Sequence, residues 1–403
     1  MKFQKRFQLS FLFFLEFFIW GGWFVTMGTF LSQEFNASGG QLAQAYETQS
    51  IGAIIAPFVI GLIADRYFAA QKILGILHLI GAALLFTVSK AESFASFYPY
   101  IFIYMLLYMP TLALANAVAF NQMKDPSKEF ASIRVLGSVG WIVAGVTIGT
   151  LAWEGAQTLK YTFYMASGAS AFLGIYSFFL PNTPPRLGSD KKPSLREILG
   201  LDALAMLKDR GFLFFFIASI LICIPLAFYY QHANQFLNEV GMQAAASKMI
   251  FGQISEVLFL LLLPLFIKRY GIKNALIVGI LAWGVRYLLF AFGDTGAQTW
   301  MLLFGILLHG ICYDFFFVSG QIYTDFKAGE TYKSTAQGLI TLATYGVGML
   351  IGFRFAGWLT DQYVTETGHL WKEIWVQPAI FSFIVLTLFL IFFKNETIKF
   401  KAL

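Results

Sequence analysis

The sequence predicts an all-α polytopic membrane protein with twelve transmembrane helices in two six-helix halves. Three observations carry that expectation. Hydrophobic residues make up 58% of the 403 and charged residues only 12%, against about 25% charged in ordinary globular chains. The apolar residues gather into twelve runs, each long enough to cross a hydrocarbon core of about 30 Å as a helix. The longest polar stretch, Pro181 to Arg210, divides those runs six and six. The expected organisation is therefore a first half at 1–182, a cytoplasmic linker at 183–210 containing the amphipathic run Leu195 to Lys208, and a second half at 211–403.

The first run, 8–32, follows Met-Lys-Phe-Gln-Lys-Arg and is too long for a signal-peptide core, so it is expected to be a retained helix. Five more follow at 44–64, 72–89, 98–121, 132–153 and 160–180. The second half supplies runs at 211–237, 247–267, 273–292, 298–324, 334–360 and 373–393. An even number of spans puts both termini on one side, and the basic residues say which. Of 28 Lys and Arg, three lie within spans, four (Lys90, Lys160, Lys248 and Lys372) fall on one side and the other twenty-one on the side of the termini. The positive-inside rule places that side in the cytoplasm, so both termini of this multi-pass protein are expected there. A parallel repeat of the halves is hinted at by two turns, Gly61-Leu-Ile-Ala-Asp-Arg-Tyr67 and Pro264-Leu-Phe-Ile-Lys-Arg-Tyr270.

The net charge of +6 is spread singly between apolar runs, which is no footprint for nucleic acid. Cys223 and Cys312 fall inside apolar runs without metal-ligand spacing, so neither a disulfide nor a metal site is expected. No cofactor motif is present, and no residue set has the pattern of a hydrolytic or redox centre.

Function is read from the polar residues that the membrane would tolerate only with a partner or a task. An acidic side chain at a helix centre costs roughly 2.5–3.5 kcal/mol. Seven of the ionisable residues inside runs stand out: Glu16, Arg134, Glu256, Arg286, His309, Asp314 and Arg354. Gln253 and Glu256 stand three apart and share a helix face, near the bilayer midplane by residue count. Arg134, Ser138 and Trp141 follow a four-plus-three spacing that aligns a guanidinium, a hydroxyl and an indole. That stripe either meets a substrate with hydroxyls and a ring, or carries an arginine that snorkels to the cytoplasmic edge. His309 and Tyr313 are four apart, while Asp314 is turned about 100° from Tyr313 and is expected to hold its helix against a neighbour. His309 alone reads equally as a packing residue. Tyr229, Tyr230, Gln231 and Asn234 crowd one further run with polar tips. Glu16 is expected to pair with Arg286 or Arg134, and Arg354 to snorkel or meet Asp361.

The motifs Tyr108-Met-Pro-Thr-Leu112, Ile133-Arg-Val-Leu-Gly137, Leu199-Gly-Leu-Asp-Ala203, Gln253-Ile-Ser-Glu256, Arg269-Tyr-Gly-Ile-Lys-Asn274, Tyr313-Asp-Phe-Phe-Phe-Val-Ser-Gly320 and Ala336-Gln-Gly338 keep their order across nearly the whole chain. Together they resemble the bacterial nucleoside:proton symporters of the major facilitator superfamily. The resemblance implies a permease without enzymatic activity, importing a nucleoside with a proton by alternating access. It places Arg134, Ser138, Trp141, Gln253, Glu256, His309 and Tyr313 where the family contacts nucleoside, and Asp314 at the family's acidic position. Ser138 stands where threonine is usual, Trp141 and Tyr313 where phenylalanine is, and His309 where tyrosine is. Ala227 and Tyr230 replace amide side chains.

The full expectation is a monomer in the lipid bilayer, with nucleoside and protons as partners. Substrate contacts are Arg134, Ser138, Trp141, Tyr230, Gln253, Glu256, His309 and Tyr313. Glu256 carries the coupled proton, with Asp314 and Glu16 as its competitors. A sugar:proton symporter of the same fold is the alternative, and a membrane-embedded enzyme a remoter one.

Overall fold

The apolar runs become helices, and local chemistry decides where each begins and ends. The computed structural model describes residues 3–59, 68–123, 126–184 and 201–394. The turn Gly61 to Tyr67 and the linker residues 185–200 lie outside the described residues. Ser93 and Ser96 form a reciprocal capping box at the start of one helix. Asp209 caps another by accepting from the Phe212 N–H at 2.8 Å. Gly271, at φ +82°, separates two consecutive helices without a side chain to clash.

The helices of the first half are α1 (Phe3–Gly21), α2 (Met27–Phe35), α3 (Gly39–Val59), α4 (Ala70–Val88), α5 (Phe94–Gln122), α6 (Pro126–Thr150) and α7 (Lys160–Ser177). After a short 3-10 turn at Leu201–Lys208 come α8 (Arg210–Glu239), α9 (Ala245–Tyr270), α10 (Ile272–Phe292), α11 (Thr299–Leu307) and α12 (His309–Tyr313). A π-helical turn, Asp314–Val318, leads into α13 (Ser319–Thr341), and a second, Leu342–Gly348, into α14 (Met349–Gln362). A two-strand hairpin, Val364–Thr365 with Gly368–His369, precedes α15 (Trp371–Phe392).

Three expected spans are interrupted, the one at 334–360 by the second π turn. The first run breaks after Gly21, where two successive glycines lower helix propensity and a turn over residues 22–26 follows. The run from 298 passes through α12 and the π turn before resuming. Among the described residues, nine helical stretches are long and apolar enough to cross a membrane. The helices α1, α3 and α7 fall short of that measure because α1 carries Lys5, Arg6 and Glu16, α3 is rich in glutamine, and α7 is short and rich in small residues. The exposed face of α9 is a run of leucines, Leu258, Leu261, Leu262 and Leu265. Such a surface suits lipid.

The chain forms two compact units, one of Met1–Ile198 with Gln243–Ser247 and one of Leu199–Met242 with Lys248–Leu403. Within the first, α1 lies along α6 and α4 along α7, with α5 packed on α3 and α4. Within the second, α10 lies along α15 and α8 packs on α14 and α15. Both units use glycine to let helix backbones approach, as membrane helices do. A Cβ on Gly140 of α6 would collide with the Phe14 carbonyl of α1.

Candidate functional site

In the second unit, the close crossing of α9 and α12 sets the geometry. A Cβ on Gly310 would stand 2.5 Å from the Ser255 carbonyl group, and one on Gly252 would stand 3.0 Å from the Cβ of His309. The Gly310 N–H donates to Ser255 Oγ at 3.0 Å, and that hydroxyl donates to the Gly252 carbonyl at 2.7 Å. Glu256, the next residue on α9, is thereby held beside His309.

His309 is buried, stacked against Tyr229 on one side and Tyr313 on the other, with ring centroids 5.3 and 6.0 Å away. Arg286, fully buried on α10, places Nη1 3.2 Å from His309 Nδ1. A guanidinium can only donate, so Nδ1 is the acceptor and the neutral ring carries its proton on Nε2. That N–H faces Glu256 Oε2 at 3.7 Å, longer than a hydrogen bond. The guanidinium also lies 3.5 Å over the Tyr229 ring, a cation–π contact that shares its charge with an aromatic face. Arginine, histidine and glutamate thus form a short electrostatic chain ending at a carboxyl group 26% exposed. Gln253 is half-buried on the same face of α9 as Glu256. Tyr230 is half-buried on α8 beside Tyr229. The Tyr313 hydroxyl lies 2.7 Å from that of Tyr345, which sits on the second π turn.

Asp314 opens the first π turn and is buried, with no hydrogen-bond partner for either carboxyl oxygen among the described residues. No hydrogen bond among the described residues supports the expected role of holding its helix against a neighbour. π turns widen a helix and recur at functional positions.

In the first unit, Arg134, Ser138 and Trp141 are all half-buried along one stripe of α6. Arg134 lies 3.8 Å over the Phe17 ring of α1, and Trp141 meets Trp20 edge-on at 5.7 Å. Gly137 and Gly21 make room for these groups, since a Cβ on either would fall within 3 Å of the Arg134 or Trp141 side chain. Glu16 makes neither of the expected arginine pairs among its described hydrogen bonds. Its carboxylate is fully buried, 2.9 Å from His78 Nε2 and 2.5 Å from Thr111 Oγ1.

Two participants escaped the sequence reading. His78 and Tyr345 carry no motif of their own, and only the polar character of each inside an apolar run signals it. Arg286 was visible as an intramembrane charge, but its partner depends on which helix lies against α10.

Set beside known proteins, residues 2–398 match the family described as nucleoside H+ symporter. The chain belongs to that family. It is 41% identical to a putative nucleoside transporter, YegT, of Escherichia coli (strain K12) over 408 residues, covering 98% of this chain and 95% of that one. It is 30% identical to the nucleoside permease NupG of the same organism, covering 98% and 97%. The crystal structure of nucleoside transporter NupG superimposes with a TM-score of 0.88 at 30% identity, covering 97% of this chain and 99% of that one. The fold is that of the major facilitator transporters, and the protein is a membrane transporter of the nucleoside:proton symport class, not an enzyme.

Proposed function

We propose that the protein imports nucleosides with protons across a bacterial inner membrane by alternating access, and that Glu256 is where substrate and proton meet. The observation that carries this reading is the half-buried Gln253–Glu256 face with His309 and Arg286 behind it. Ribose hydroxyls both donate and accept, and an amide beside a carboxylate answers both needs. Tyr230, Tyr313 and Trp141 are assigned as aromatic contacts for the base, and Arg134 and Ser138 as further polar contacts to substrate. A partly solvated acid that loses its water when substrate arrives becomes a better proton acceptor. The His309 Nε2–H at 3.7 Å stabilises the ionised form when the proton leaves. Asp314 is the competing carrier, because an unpartnered ion in so buried a place is costly.

The same reading gives twelve transmembrane helices in two six-helix halves joined by the 183–210 linker, with α1 plus α2, α3 and α7 added to the nine apolar spans. Both termini are cytoplasmic, and the protein works as a monomer in the bilayer. A reporter fused at the C-terminus should read cytoplasmic, and one in the loop near Gly296 external; reversal of both would overturn the orientation. The function is tested by uptake of labelled nucleosides and hexoses into proteoliposomes under an imposed pH gradient. Nucleosides should accumulate unchanged and compete with one another but not with hexoses. Competition by free hexoses would favour a sugar symporter instead.

A further inference from the structure

A second acid–imidazole pair lies in the first unit, and its hydrogen bonds count protons. Glu16 of α1 and His78 of α4 are 0% and 2% exposed. Glu16 Oε2 lies 2.9 Å from His78 Nε2. Each of the two remaining polar edges of the pair ends on a hydroxyl that has two places to send one hydrogen. Ser170 Oγ is 3.2 Å from His78 Nδ1 and 2.9 Å from the His78 carbonyl. Thr111 Oγ1 is 2.5 Å from Glu16 Oε1 and 2.5 Å from the Tyr108 carbonyl.

Two complete bonding patterns follow, and they differ by one proton. In the first, both hydroxyls donate to the side chains: Thr111 to the carboxylate and Ser170 to Nδ1, while Nε2–H donates to Glu16. The pair is then an anion with its acceptors served. In the second, the added proton sits on Glu16 Oε1 and donates to Thr111 Oγ1, whose own hydroxyl turns to the Tyr108 carbonyl. Ser170 still donates to Nδ1, and Nε2–H to Glu16 Oε2. The pair is then neutral overall, with its donors served. A buried group normally resists a change of charge because one form is left without partners. Here rotation of the Thr111 hydroxyl serves either form.

We propose that the Glu16–His78 pair is a second proton-binding site, which loads and releases one proton in each transport cycle. This rests on the symport reading above and adds a proton to it. The surroundings give the proton a way to act. Thr111 and Tyr108 flank Pro110, which lacks the N–H that would close the helical bond to residue 106, so α5 is weakened there. Tyr108 donates to the Glu16 carbonyl at 2.7 Å, so Glu16 is fastened to both sides of that weak point. The titratable and charged groups facing the pair are the phenols of Tyr104 and Tyr108 on α5 and, from α6, the Arg134 guanidinium, which acts on Tyr108. From α7 the pair meets Ser170.

The test is the proton:nucleoside ratio, read in proteoliposomes from the nucleoside gradient that just balances an imposed pH gradient. Glu16→Gln should move one proton fewer per nucleoside than wild type, and so should His78→Gln. An unchanged ratio in folded Glu16→Gln would overturn the proposal and leave the pair a structural clamp. Should neither variant fold, Thr111→Val keeps the acid and the imidazole but removes the two-way hydroxyl; it should lower the ratio, and an unchanged ratio would overturn the proposal. Wild type that accumulates nucleoside without any proton would sink the symport reading and this proposal together, whereas a coupled wild type with a normal Glu16→Gln sinks only the latter.

Discussion

Each unit sets a glutamate against a histidine, and the two pairs are built to opposite ends. In the first unit Glu16 and His78 touch at 2.9 Å, have no exposure to speak of, and find hydrogen bonds on every side. In the second, Glu256 and His309 stand 3.7 Å apart and the carboxyl group keeps 26% of its surface open. The closed pair shuts its carboxylate away among buried partners, whereas the open pair leaves its glutamate side chain accessible, with the histidine bonded to Arg286. Residue type alone therefore does not separate the two pairs; distance and exposure do.

The comparison is broken most severely by closing the gap on which the open pair depends. Gly310→Ala puts a methyl group 2.5 Å from the Ser255 backbone, which cannot swing aside. Over-packing of this kind costs about 1–3 kcal/mol, and α9 must shift with Glu256 on it. Nucleoside binding should fall about tenfold or more, 1.4 kcal/mol being tenfold; equal affinity in folded protein would mean the crossing does not position Glu256. Removing the Thr111 hydroxyl from the closed pair should cost about 1.5–3 kcal/mol of stability, seen as a lower melting temperature of Thr111→Val. A melting point equal to wild type would show that the closed pair is not held as described.

Trp141→Ala should weaken nucleoside binding by about 1–3 kcal/mol if the indole stacks on the base, with Trp141→Phe losing less. Equal affinity in well-folded Trp141→Ala would remove the first unit's stripe from the site. Tyr313→Phe deletes one end of the hydroxyl pair with Tyr345, a loss of about 0.5–1.5 kcal/mol in stability, and leaves the ring that stacks on His309. The smallest effect belongs to Gly168, whose added Cβ would meet nothing within 4 Å. Gly168→Ala should match or slightly exceed wild type in melting temperature, and a large loss there would discredit the packing distances used for Gly310.

Much of this was legible before any coordinates. Run length and polar spacing located the membrane helices, and the three-residue step from Gln253 to Glu256 put both on one face. The ordered motifs pointed to the family to which the chain belongs. Partners were not legible. Glu16 reads as the counter-ion of an arginine, yet its companion is His78, since α1 meets α4 and α5 around that carboxyl group. The break at Gly21 and the π turns at Asp314 and Leu342 likewise depend on packing, because glycine weakens a helix without fixing where it deviates.

The central claim, that nucleoside and proton meet at Glu256, is tested most directly by Glu256→Gln. The amide keeps the shape and a hydrogen-bonding tip but cannot release a proton. In proteoliposomes the variant should still bind nucleoside and exchange it across the membrane, while moving one proton fewer per nucleoside than wild type. A normal ratio in Glu256→Gln, together with a lowered one in Asp314→Asn, would contradict the account and put the second unit's proton on Asp314.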